Sequence, residues 1–138
     1  MTKEIWINLP VADINKSKEF FAKLGFNVTP PSNTKDEMIK MVIGENKVII
    51  MLFPEAMFKK FTGNDLADTG KTTEVLFSIS AESKEEVDEL AIKAKMAGGT
   101  IFGEPKENQG WMYGCGFADL DGHRWNVLYM DMSKMPKG

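Results

Sequence analysis

Large apolar side chains alternate with other residues through EIWINLPV, Glu4 to Val11, a period of two that predicts a strand stopped by Pro10. The period then lengthens. Ile14, Phe20, Phe21 and Leu24 fall near one face of a helix, Asp13 is placed to accept the free N–H groups of the first turn, and Gly25 supplies a left-handed stop. The spacing therefore predicts a capped amphipathic helix from Asp13 to Leu24. FNVTPP follows as a short strand broken by Pro30 and Pro31, then EMIKMVIG and NKVIIMLF as two strands joined around Gly44-Glu45-Asn46.

The same order recurs in the second half. TEVLFSIS reads as a strand, and Ser83 with Glu86 forms a Ser-x-x-Glu capping box ahead of a helix with Val87, Leu90, Ala91 and Ala94 on its apolar face, ended by Gly98-Gly99. TIFGEP is a short strand, and WMYGCGFAD and HRWNVLYM are longer ones joined by the turn Leu120-Asp121-Gly122. FFAKLGFNV at one helix exit answers IKAKMAGGTIF at the other, and a repeat at a fixed offset is a stronger signal than any single motif. The fold class expected is α+β: one domain over 1–138, made of paired βαβββ modules at about 1–53 and 72–132. Residues 54–71 form the linker between them, with a short helix from Glu55 to Phe61. The sheet faces left bare by the two helices would curl around a cup, the natural place for a pocket.

Composition narrows the partners. The chain has 138 residues, enough for one core, and 43% hydrophobic with 27% charged residues excludes a disordered segment. The net charge is -3 and the basic residues are scattered among acids, so no positive track for nucleic acid is expected. No apolar run reaches the ~20 residues that span a bilayer. Met1-Thr2-Lys3-Glu4 leads straight into a strand with no signal-peptide pattern, so no membrane partner and a cytoplasmic location are expected.

Two residues invite chemistry and are better read as structure. Cys115 is the sole cysteine, which excludes an intrachain disulfide, and in MYGCGF it reads as a packing residue rather than a nucleophile. His123 is the sole histidine and sits three residues before Asn126. Strand alternation places it on the opposite face from Asn126, near the strand's solvent end, as a turn-flanking side chain bonded locally or wet.

INLPVADINKSKEFFAKLGFNV, the repeated βαβββ order and FADLDGHRWNVLYMD together resemble the vicinal oxygen chelate superfamily of glyoxalases, bleomycin-resistance proteins, fosfomycin-modifying enzymes and extradiol dioxygenases. The resemblance implies four inward strand positions, two per module, that in metal-dependent members hold one divalent ion with His, Glu or Gln. Counted from the motifs, these positions fall on Trp6, with Asn8 as its inward neighbour, on or beside Met51, on Glu74 and on Asn126. Glu74 is the one plausible ligand among them. One carboxylate and one amide make a poor transition-metal site, so no metal and no other cofactor is expected, and no glyoxalase activity.

What the resemblance leaves is a cup lined by Trp6, Asn8, Met51, Glu74 and Asn126, with Trp111, Tyr113 and Trp125 as further flat apolar area. Such a lining suits a small organic ligand, cationic or amphipathic given Glu74, and the drug-sequestering members that work this way are often homodimers. Ordinary core packing accounts for the same aromatic and methionine positions equally well. The alternative function is a metal-dependent lyase, dioxygenase or transferase with an unusual ligand set. Its metal would be held by Glu74 with Asp119, Asp121 or a partner subunit's residues; a metal-free enzyme would instead use a buried Glu74 of raised pKa as an acid or base.

Overall fold

The computed structural model describes residues 1–30 and 38–136, which fall into two compact units, Met1–Asp68 and Thr69–Gly138. The expected break at Pro31 and the expected strand start at Glu37 lie outside the described residues.

In the first unit β1 (Trp6–Val11), β2 (Asn27–Thr29), β3 (Ile39–Ile43) and β4 (Val48–Pro54) form a sheet in the order β1-β4-β3-β2, with β1 parallel to β4 and the other pairs antiparallel. Register puts Leu9, Leu52 and Ile39 in one row across the sheet and Ile7, Ile50, Met41 and Val28 in the next. Helix α1 (Ile14–Lys23) covers that face, burying Phe20 and Phe21, whose rings meet edge to face at 5.1 Å. Each ring buried in this way contributes about 1.5–3 kcal/mol. Asp13 caps the helix by accepting the Lys16 N–H at 3.0 Å, a bond worth ~1 kcal/mol. Pro10 does not stop β1. It pairs in register with Phe53 on an edge strand, where a missing N–H is tolerated. Helix α2 (Glu55–Thr62) packs on this unit through Phe61, whose ring lies 5.5 Å from that of Phe53, so the segment after β4 is held and is not a free linker.

The second unit repeats the plan. β5 (Leu76–Ser80), β6 (Thr100–Asn108), β7 (Met112–Ala118) and β8 (Arg124–Met130) form a sheet in the order β5-β8-β7-β6, with β5 parallel to β8. Helix α3 (Lys84–Met96) buries Val87, Leu90, Ala91 and Ala94 against the rows Phe77, Trp125, Phe117 and Ile79, Val127, Cys115. Ser83 caps α3 by accepting the Glu86 N–H at 3.1 Å; the Glu86 carboxylate reaches back past the cap residue to the N–H of Glu82. β5 begins two residues beyond Glu74, later than expected, and β6 runs longer than TIFGEP, with breaks in register on either side of Gly103. The architecture is α+β, two βαβββ modules with mixed sheets. Among the described residues no helix is long and apolar enough to cross a membrane.

Candidate functional site

Each sheet has a face turned away from its own capping helix, and strand alternation decides which residues appear there. In the first unit this open face carries two cross-strand rows. Asn8 lies beside Met51, which lies beside Lys40 and then Thr29; Trp6 lies beside Ile49, Val42 and Asn27. Trp6 is 54% exposed and Asn8 is exposed, while Met51 is partly covered. Phe61 of α2 covers only the Pro10–Phe53 end of this face. The structure thus brings Trp6, Asn8 and Met51 together, an indole, an amide and a thioether on one accessible surface.

In the second unit the open face carries Ser78, Asn126 and Gly116 in one row and Leu76, Arg124 and Ala118 in the next. The Asn126 amide donates to the Ser78 hydroxyl at 3.4 Å. Gly116 has no side chain, and the Phe102 ring occupies the space: a Cβ at Gly116 would stand 2.5 Å from the ring carbons. The guanidinium carbon of Arg124 lies 4.3 Å from the centre of the same ring. Neither Phe102 nor Arg124 was singled out by sequence reasoning. The signal that could have found Arg124 was parity, since it shares a face with Asn126.

Trp125 and Tyr113 lie on the other face. Trp125 is fully buried, with Phe77 at 4.8 Å and Phe117 stacked at 6.2 Å between ring centres, so it offers no surface to a ligand and the expectation for it is corrected. Tyr113 donates its hydroxyl to Asp88 of α3 at 2.6 Å, and that bond raises its pKa above the usual phenol value. Trp111 precedes β7 and lines, with Tyr113, Tyr129, Lys84 and Lys134, a shallow depression at the β6–β7 end of the sheet. Its indole N–H is buried without a protein acceptor. Trp111 and Tyr113 are therefore neighbours of each other, not of Asn126.

Asp119 organises the β7–β8 turn. Its Oδ1 accepts the N–H groups of Asp121 and His123, each at 3.0 Å, and its Oδ2 accepts the Trp125 indole N–H at 3.1 Å. Burial pushes the Asp119 carboxyl above the ordinary range, although the charge of His123 and the three donated bonds pull the other way. Sequence reasoning gave the turn to Asp121-Gly122. Gly122 does supply a φ of 82°, and Thr69 donates its hydroxyl to the Asp121 carbonyl, but the carboxylate that ties the turn is Asp119. His123 is buried at 8% exposure beside the turn, with its backbone N–H bonded to Asp119; of the two expectations for it, local bonding or a wet position at the strand's solvent end, the second is corrected. Cys115 is buried against α3, with its thiol directed at the Val87 carbonyl, and burial raises its pKa to about 11.

The family's metal positions do not fit a metal here. Trp6 has no lone pair to give, Met51 offers only a thioether, and Asn126 offers a neutral amide oxygen where a carboxylate would bind a cation far better. Glu74 is exposed and lies ahead of β5, so it is neither on a strand nor the buried acid considered from the sequence. Among the described residues no group of three or more His, Cys, Asp or Glu side chains is arranged to hold an ion.

Comparison with known proteins agrees with the fold. The family model described as bleomycin resistance protein-like N-terminal matches residues 3–44. A hypothetical protein from S. aureus has a structure with a TM-score of 0.85 to this chain at 36% identity, covering 94% of this chain and 95% of its own. A glyoxalase/bleomycin resistance protein/dioxygenase family enzyme from Burkholderia phytofirmans has a TM-score of 0.75 at 18% identity, covering 91% and 96%. The fosfomycin resistance protein FosX from Listeria monocytogenes has a TM-score of 0.68 at 21% identity, covering 97% and 95%. No curated protein sequence matches the chain. With its two βαβββ modules, the match to the bleomycin-resistance-protein-like model over residues 3–44 and the structural likeness along nearly its whole length, the chain has the glyoxalase/bleomycin-resistance-like fold.

Proposed function

We propose that this protein binds a small organic molecule on its open sheet faces and uses no metal at the superfamily's ligand positions. The observation that carries the reading is the patch of Trp6, Asn8 and Met51, from two adjacent rows of the first unit's open face. In a sheet whose other face is filled with Leu9, Leu52, Ile39 and Met41, a half-exposed indole beside an amide and a thioether is apolar area with hydrogen-bonding capacity, and it is left accessible. The structurally similar proteins whose names include resistance to bleomycin and fosfomycin support a small organic guest. The donor chemistry at Trp6, Met51 and Asn126 supports a metal-free mode. The reading places the chain in the cytoplasm as a homodimer, with no nucleic-acid partner; exposed Val75, Leu76 and Met130 give a second copy apolar surface to cover.

A thermal-shift screen tests it. A small organic molecule that binds the folded state raises the unfolding temperature with the logarithm of its concentration, and zinc, nickel or manganese chloride leaves it unchanged. Trp6→Ala weakens a hit by up to ~2 kcal/mol through lost aromatic burial. A metal-induced rise in stability that Glu74→Gln removes would refute the reading.

A further inference from the structure

The open face of the second unit carries a charge that the described residues leave unanswered. Arg124 is partly buried, and its side chain is a permanent cation with five N–H donors and no acceptor. Among the described residues no carboxylate pairs with it. Asp119, in the turn ahead of it, is committed to Asp121, His123 and Trp125. The Arg124 Nε–H is buried with no acceptor among the described residues. Phe102 covers one face of the guanidinium at 4.3 Å, which neutralises part of its charge through the ring quadrupole and fixes the plane of the fork. Gly116 makes that stack possible, because any side chain there would displace the ring.

A partly buried cation without a counter-ion is costly, and a planar donor fork held against an aromatic ring is the arrangement that receives a two-oxygen acceptor. Asn126 and Ser78 lie in the next row of the same face, so further polar partners are close. We propose that Arg124, stacked on Phe102 over Gly116, is the anchor for an anionic group, a carboxylate or phosphate, on the ligand of this protein. The proposal rests on the organic-ligand reading and specifies the ligand's charge. It also reverses the cationic guest inferred from Glu74, because Glu74 is exposed ahead of β5 while Arg124 is on the strand.

Calorimetric titration of the full chain with benzoate and phenyl phosphate, against the neutral benzamide and the cationic benzylamine, provides the test. Benzoate or phenyl phosphate binds at least ~10-fold more tightly than the other two, Arg124→Gln brings that anion down to the benzamide level, and Arg124→Lys keeps only part of the preference because it lacks the fork. The unfolding temperature of unliganded Arg124→Gln provides a second readout: it equals or exceeds that of the wild type, since a group that waits for a ligand contributes nothing to the empty fold. Benzamide or benzylamine binding as tightly as the anions overturns the anion site and leaves the organic-ligand reading standing. Failure of all four probes to bind counts against both. An Arg124→Gln variant that binds the anions normally, or that unfolds several degrees lower when empty, assigns Arg124 a structural role and overturns the proposal.

Discussion

Asp119 should be among the most sensitive positions in the molecule, although it touches no open face. Replacement by alanine removes the acceptor of three N–H groups, those of Asp121, His123 and the Trp125 indole, at 3.0, 3.0 and 3.1 Å. An orphaned buried donor costs about 1–3 kcal/mol. The Asp121 N–H is partly accessible and can turn to water, whereas the other two sit beside fully or nearly fully buried side chains. The sum is therefore roughly 3–5 kcal/mol, which for a chain of this length lowers the unfolding temperature by about 10 °C or more. Asp119→Asn is milder. Its Oδ1 keeps both backbone bonds, but an NH₂ group now faces the indole N–H, donor against donor, at a cost of about 1–3 kcal/mol.

A double-mutant cycle isolates that clash. Trp125→Phe removes the indole N–H, so Asp119→Asn should cost less in the Trp125→Phe background than alone, with a coupling of about 1–2 kcal/mol measured by urea unfolding. pH adds a further check. Because burial raises the Asp119 pKa above 3.8, the folded protein holds that proton more tightly than the unfolded chain. The contribution of Asp119 is thus complete below the unfolded value and diminishes as pH rises through the folded one, so the gap between wild type and Asp119→Asn narrows from acid toward neutral pH. Additive single mutants, or a gap that widens over that range, would refute the reasoning.

Other perturbations have equally definite outcomes. Cys115, with its pKa raised to about 11 by burial, should resist iodoacetamide at pH 8 in the native protein and react promptly in urea. Gly122→Ala should destabilise by about 1–3 kcal/mol, because the φ of 82° disfavours a side chain and the added Cβ would lie 2.9 Å from the Thr69 carbonyl oxygen; denaturant unfolding measures it. Trp6→Ala should change unfolding free energy by less than ~1 kcal/mol, since Trp6 is 54% exposed, while it weakens any organic ligand found by thermal shift. Glu74→Gln should alter neither stability nor metal response, as its side chain is exposed outside β5.

The fold was legible because its signals are local and periodic. Asp13 and Ser83 cap α1 and α3 as their positions ahead of an apolar 3.6-residue pattern required, and the two βαβββ orders came from counting strands between turns. What the sequence misjudged depended on neighbours in space. Pro10 reads as a strand stop in a string of letters, yet β1 is an edge strand, and only sheet order makes its missing N–H harmless. Thr73 to Val75 have strand composition but precede the first pairing with β8 at Leu76 and Arg124. β6 extends past Pro105 because register breaks around Gly103 let it run on beside β7.

The site was less legible because side-chain type was allowed to outweigh side-chain parity. In HRWNV the aromatic residue drew the functional reading, yet Trp125 alternates with Asn126 and so cannot share its face. Trp125 belongs with Phe77, Phe117 and Val127 beneath α3, and its one polar atom is satisfied by Asp119 six residues earlier. Arg124 has the opposite character. A guanidinium at a strand start reads as an ordinary solvated end, and nothing in the letters reveals that Gly116, on the neighbouring strand β7, leaves room for Phe102 to lie beneath it. Gly116 in MYGCGF is therefore the informative letter: alternating with Cys115 and Phe117, it empties a position on the open face, and the ring that fills it lies against Arg124, a cation that no carboxylate answers among the described residues. Gly116→Val should accordingly leave α3 and its core unaltered in circular dichroism while it displaces Phe102. Anion binding should then fall toward the level of Arg124→Gln, although Arg124 itself is still present.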